Sequence, residues 1–156
     1  MKILLTGANG YIGKRLLPVL VEAGHEVVCL VRDPDRLNAP KAVRDKIRVV
    51  TADLNDRESL EAIPKDIDAA YYLVHSMTQS SDEFRRLERD AAEKFVDAID
   101  GTDARQIIFL SGIVNDENLS EHLRSRLEVE EILSSSKSGL TTLRAAIVIG
   151  SGSASF

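Results

Sequence analysis

The chain has 156 residues, of which 44% are hydrophobic and 29% charged, and a formal net charge of −5. That length and balance suit one folded domain with its own hydrophobic core. The acidic balance without a basic block argues against nucleic acid or an anionic membrane as partner, and a single cysteine, Cys29, excludes an internal disulfide or a cysteine metal cluster.

In chain order, a first apolar strand is expected over 2–6. It is too short for a signal peptide, and no later stretch reaches the ~18 to 20 apolar residues of a membrane span, so a cytoplasmic location is expected. The turn Thr6-Gly7-Ala8-Asn9-Gly10-Tyr11-Ile12-Gly13 follows. A helix over 10–23 comes next, ended by Gly24, with Pro18 expected to remove one hydrogen bond and kink it. Strands are expected over 26–31 and 47–51, a short helix over 58–63 before Pro64, and a strand over 69–74. Phe84, Leu87, Ala91, Phe95 and Ile99 fall at helical spacing and predict a helix over 82–99. Ser80 with Glu83 would form its capping box, and Gly101 ends it. A strand over 106–110, a helix over 121–133 with Leu123 and Leu127 on one face, and a strand over 141–149 complete the pattern.

Several strands are nearly all apolar, as in parallel sheets covered on both faces. Alternating strands and helices with right-handed crossovers predict an α/β, doubly wound Rossmann fold of about six strands in the order 3-2-1-4-5-6. The polar end from Gly150 to Phe156 reads as a loop leaving the sixth strand. Residues 1–156 are therefore expected to be one domain truncated before a substrate-binding part.

The glycines carry the first functional signal. A pyrophosphate needs close backbone approach and N–H donors, and a helix N-terminus supplies donors and a favourable dipole. Gly7 allows the tight turn out of the strand, Gly10 leaves room for phosphate, and Gly13 lets the helix pack on the strand. The spacing is Gly-x-x-Gly-x-x-Gly, and it has the required context: a strand before it and a helix after it. The whole segment Leu5 to Gly13 resembles the signature of extended and atypical short-chain dehydrogenases/reductases. Leu30-Val31-Arg32-Asp33-Pro34, Ala52-Asp53-Leu54, Phe109-Leu110-Ser111-Gly112 and Leu143-Arg144-Ala145-Ala146 extend the resemblance over essentially the whole chain. It is nearest to the atypical NmrA-like and nucleoside-diphosphate-sugar-epimerase-like group. The resemblance implies NAD(P) held by Gly7, Asn9, Gly10, Tyr11, Ile12 and Gly13.

NAD-preferring sites place an acid at the end of the second strand to hold the ribose 2′-hydroxyl. Here Val31 stands at that position and Arg32 follows. A guanidinium pairs with a 2′-phosphate, which points to NADP over NAD; Asp33 nearby weighs the other way. In similar proteins the pair matching Asp53 and Leu54 meets the adenine, although Asp also suits a strand-end turn. Val74 and His75 end the fourth strand beside the expected switch point, where His75 is either a cofactor contact or a structural residue.

Active relatives use Ser, Tyr and Lys. Ser111 matches the serine, while His122 stands at the tyrosine position and Arg126 at the lysine position. Their i, i+4 spacing puts both on one helical face. Histidine titrates near neutrality and can exchange a proton, but arginine holds its proton too tightly to relay it. Arg126 suits a contact to the nicotinamide ribose; the alternative is that both residues belong to a polar helix face. Arg144 follows the position where relatives carry an Arg-Pro element, and here the proline is absent.

The leading expectation is an NADP-dependent oxidoreductase acting on a small carbonyl, quinone or sugar-nucleotide-like substrate. A non-catalytic NADP-sensing module is the alternative, favoured by His122 and Arg126. A nucleotide-sugar epimerase is weaker, because Tyr-x-x-x-Lys is missing. Expected partners are a nucleotide cofactor and a small-molecule substrate, and a homodimer is compatible with the pattern; no metal-ligand set is read.

Overall fold

The computed structural model describes residues 1–74, 81–113 and 120–151. The strands β1 (Lys2–Thr6), β2 (Glu26–Val31), β3 (Ile47–Thr51), β4 (Ala69–Tyr72), β5 (Gln106–Gly112) and β6 (Gly139–Ala145) form one sheet in the order β3-β2-β1-β4-β5-β6. Every pairing is parallel. This is the doubly wound Rossmann order that the alternating pattern predicts.

Successive side chains on a strand point to opposite faces, and β1 feeds two cores. Leu4 faces a core with Phe95, Phe109, Val129 and Leu133, beneath α3 (Ser81–Asp100) and α4 (Glu121–Ser134). Ile3 and Leu5 face the other, with Leu17, Leu20 and Val43 from α1 (Tyr11–Glu22) and α2 (Lys41–Arg44). Burying side chains of this size contributes about 1.5–3 kcal/mol each, and Ile3, Leu4 and Leu5 are all buried.

Several boundaries differ from the sequence-based expectation, each for a local reason. β4 stops at Tyr72 because the Leu73 N–H donates to Thr6 Oγ1 at 3.2 Å. β5 runs on to Gly112, since Ser111 and Gly112 pair with Arg144 and Ala145. β6 ends at Ala145, beyond which β5 offers no further strand residue; Ile147 and Ile149 there are 76% and 68% exposed. Residues 58–63 hold only a 3-10 turn, Ser59–Ala62. A second such turn, Pro34–Arg36, and α2 were not signalled by periodicity. The helix α1 continues through Pro18.

The buried faces of α3 and α4 also depart from expectation. Ala91, Phe95 and Ile99 are buried as predicted, but Leu87 is exposed and the neighbouring Glu88 is buried instead. On α4 the buried positions are Ser125, Arg126, Val129 and Leu133, whereas Leu123 and Leu127 are half-buried. Ser80 and the side chain of Phe84 lie outside the described residues. No helix among the described residues is long and apolar enough to cross a membrane.

Candidate functional site

Strand order reverses between β1 and β4, so their C-terminal ends bound the crevice where doubly wound sheets take ligands. Thr6 fastens this point. Its hydroxyl donates to the Tyr71 carbonyl at 2.9 Å and accepts from the Leu73 N–H. The chain then turns at Gly7, with φ +68°. A side chain here would be strained, and its β-carbon would stand 2.7 Å from the Leu73 carbonyl oxygen. The turn closes with the Gly10 N–H donating to the Gly7 carbonyl at 2.9 Å.

Gly13 lies in the first turn of α1, packed on this bend. A β-carbon on it would overlap the Gly7 carbonyl oxygen and stand 2.8 Å from Ala8 Cα. The helix start carries no side-chain cap and no acid in its first turn, so its N–H groups and dipole favour an anion. Asn9 Oδ1 is buried and has no hydrogen-bond partner among the described residues. Tyr11 and Ile12 are half-buried. The Arg15 guanidinium lies 3.7 Å over the Tyr11 ring and donates to the Ser151 carbonyl at 2.6 Å. The turn, the glycine cradle and the uncapped start of α1 suit a diphosphate, whereas the orphaned Asn9 Oδ1, an acceptor, calls for an O–H or N–H donor.

At the end of β2, Val31 is buried and Arg32 exposed. Asp33 does not offer its carboxylate at the ribose position without cost: Asp33 Oδ1 accepts from the Asp35 N–H at 3.0 Å and caps the turn Pro34–Arg36. Asp53 is half-buried and its Oδ1 accepts from the Asn55 N–H at 2.9 Å, an Asx-type turn. Leu54 is buried in the core.

The ends of β4 and β5 carry the remaining candidates. Ser111 is buried, and its hydroxyl has no hydrogen-bond partner among the described residues. Gly112 brings the strand end against α4, where a β-carbon would stand 2.8 Å from Leu123 Cδ2. His122 and Arg126, though four apart, have different surroundings: His122 is exposed and Arg126 is buried. The Arg126 guanidinium lies 4.4 Å over the Phe109 ring and donates to the carbonyls of Val74, at 3.4 Å, and Leu110. Burial lowers its pKa, and the Glu88 carboxylate opposes that shift. Arg144 pairs with Glu130 on α4. His75 lies outside the described residues.

These positions are matched as a block by one family model. Residues 7–149 fit the NAD(P)H-binding family. The chain belongs to that family. The glycine turn from Gly7 to Gly13 opens the match, and β6 falls near its end.

An isoflavone reductase homolog from Arabidopsis thaliana is 38% identical over 82 residues, 49% of this chain and 26% of its own. A 3-diazoavenalumate denitrifying reductase from a Streptomyces species is 32% identical over 117 residues, 69% of this chain and 36% of its own. A short-chain dehydrogenase/reductase superfamily protein from Agrobacterium tumefaciens, solved with bound NAD, superposes with a TM-score of 0.74 at 18% identity. That superposition covers 92% of this chain and 48% of the neighbour. The chain thus spans less than half the length of these proteins. The superposition shows the same doubly wound fold.

Two residues of the site region were missed by the sequence reading. Arg15 is signalled only by its place one turn after Tyr11. Glu88 carried no motif; its signal is the stripe Ala91, Ala92, Phe95, Val96, Ile99, whose extension by one turn falls on position 88 rather than 87.

Proposed function

We propose that this NAD(P)H-binding chain holds NADP(H) across the ends of β1 and β4 for an oxidoreductase that acts on a small carbonyl, quinone or sugar-nucleotide-like substrate. The observation that carries the reading is the pairing of two features at the C-terminal end of the parallel strands: a glycine turn without room for side chains, and a buried Ser111 hydroxyl without a partner among the described residues. An unsatisfied buried hydroxyl is costly, and a substrate oxygen is a fitting acceptor for it.

Gly7, Asn9, Gly10, Tyr11, Ile12 and Gly13 would take the diphosphate, Asp53 and Leu54 the adenine side, and Val74 with His75 the far side of the crevice. Arg32 would pair with a 2′-phosphate. Its guanidinium is exposed, and the one acid beside it is engaged in a cap, which supports NADP over NAD. The bound cofactor would supply hydride to the substrate carbon. Ser111 would hold the substrate oxygen, and His122 would give that oxygen its proton. Arg126 would act on the strand ends it bonds.

A second reading, an NADP-sensing module without turnover, is favoured by Arg126: its guanidinium already serves two backbone carbonyls and is not spare for a proton relay. Loss of NADPH absorbance with a panel of carbonyls and quinones separates the two. Turnover that Ser111→Ala abolishes supports the oxidoreductase. Tight binding with no turnover across the panel supports the sensor.

A further inference from the structure

The ladder between β4 and β5 closes on the pair Tyr72 and Phe109. Beyond it β5 runs on to Gly112 along its other edge, paired with β6. The two strands therefore part at their C-terminal ends, beside the crevice, and one side chain of α4 stands in the gap. The buried Arg126 guanidinium donates to the Val74 carbonyl, beyond the end of β4, at 3.4 Å and to the Leu110 carbonyl of β5. Its central carbon lies 4.4 Å over the ring of Phe109, a member of the last pair. Arg126 thus takes the place of the next rung of the ladder. A carbonyl left without a donor in a partly buried site is costly, and a planar guanidinium can serve two acceptors in one fixed plane.

The bond to Leu110 reaches further than the ladder. The Leu110 carbonyl and the Ser111 N–H belong to one planar peptide unit, so the donor that fixes the carbonyl also fixes the plane that carries Ser111. Ser111 is buried, and its hydroxyl makes no hydrogen bond among the described residues that would hold it. We propose that Arg126 is a positioning residue for Ser111: by clasping the parted ends of β4 and β5 it sets the hydroxyl where a substrate oxygen meets it. A guanidinium buried and engaged in this way is spent on the backbone, in place of the nicotinamide-ribose contact that its position in the sequence suggests. The inference rests on the reading of Ser111 as the group that holds the substrate oxygen.

Carbonyl and amide NMR, NADPH titration, melting curves and turnover with the carbonyl and quinone panel, on wild type, Arg126→Lys, Arg126→Met and Ser111→Ala, test the clasp. In Arg126→Met the carbonyl resonances of Val74 and Leu110 and the amide of Ser111 are expected to shift, while those of Leu4 and Val28 in the core stay. The misplaced hydroxyl should lower kcat by about 100-fold, with NADPH affinity within about twofold of wild type. Lysine keeps the charge but cannot span both carbonyls in one plane. Arg126→Lys should therefore move one of the two carbonyl resonances and lose roughly tenfold in kcat, and it reads the same prediction if Arg126→Met does not fold. Unmoved carbonyl resonances overturn the proposal. So does a loss of NADPH affinity of roughly tenfold at unchanged kcat, which marks a ribose contact. A lower melting temperature with wild-type kcat overturns it too, since that marks a purely structural residue. An inactive Ser111→Ala beside a fully active Arg126→Met refutes the clasp alone. A wild type without turnover, or a Ser111→Ala protein with full turnover, refutes the reading of Ser111 itself, and this inference falls with it.

Discussion

A β-carbon on Gly7 would stand 2.7 Å from the carbonyl oxygen of Leu73. The bend after β1 is thus pressed directly on the end of β4, at the point where strand order reverses. Gly7→Ala adds both the left-handed backbone penalty and this overlap, and is expected to destabilise the fold by about 1–3 kcal/mol. Urea unfolding reads it as a lower midpoint at unchanged slope. An unshifted midpoint would mean that the turn has more room than its geometry allows.

Arg32 is expected to discriminate between cofactors. Arg32→Ala removes a charge-assisted contact, and NADPH affinity should fall by about 10- to 100-fold while NADH affinity hardly changes. Calorimetry with both nucleotides measures the ratio. Equal losses for the two would assign Arg32 to something other than the 2′-phosphate.

Gly150 packs against the Tyr11 hydroxyl so closely that a β-carbon there would overlap it, while Tyr11 Cζ would be 3.3 Å away. Gly150→Ala must push the end of the half-buried Tyr11 ring aside, and should cost about 0.5–1.5 kcal/mol. Tyr11→Phe, which removes the overlapping oxygen, should restore part of that loss in the double variant. The coupling is read from melting temperatures in a double-mutant cycle; strict additivity would show that the two residues do not meet.

Cys29 is fully buried in β2, and burial pushes its thiol from 9.0 up to about 12. The unfolded chain loses the thiol proton first as pH rises. The stability from keeping the thiol neutral is whole below about pH 9 and is lost as pH climbs from there toward 12. Cys29→Ala should flatten the stability loss over that window, measured by urea midpoints. At neutral pH the native thiol should resist a disulfide reagent that labels the urea-unfolded chain at once; rapid labelling of the native protein would contradict its burial.

The strands and the glycine turn were legible because their signals are local, although the pairings join distant residues such as Ile3 and Ala69. Runs rich in apolar and β-branched residues set β1, β2 and β3 to their observed limits, and the glycines mark the bend before α1. The end of β4 was not legible, since the Leu73 N–H leaves the ladder for the hydroxyl of Thr6, 67 residues away. Nor was the face of α3. Periodicity alone admits either Leu87 or Glu88 at the inner position, and hydrophobicity favours leucine. The hydroxyl that meets Glu88, on Ser125, lies on the next helix, beyond β5. For the same reason the i, i+4 spacing of His122 and Arg126 said little about function: one is exposed, and the other is engaged with the strand ends.

The most direct test of the account is NADPH titration of the wild-type protein beside Gly13→Val. Gly13 packs on the Gly7 carbonyl and Ala8 with no space for a side chain, so valine must push α1 away from the turn and spoil the donor cradle. One NADPH is expected to bind per wild-type chain, more tightly than NADH, with no measurable binding to a Gly13→Val protein that still shows cooperative unfolding. Equal NADPH binding by the two proteins, or none by the wild type, would contradict it.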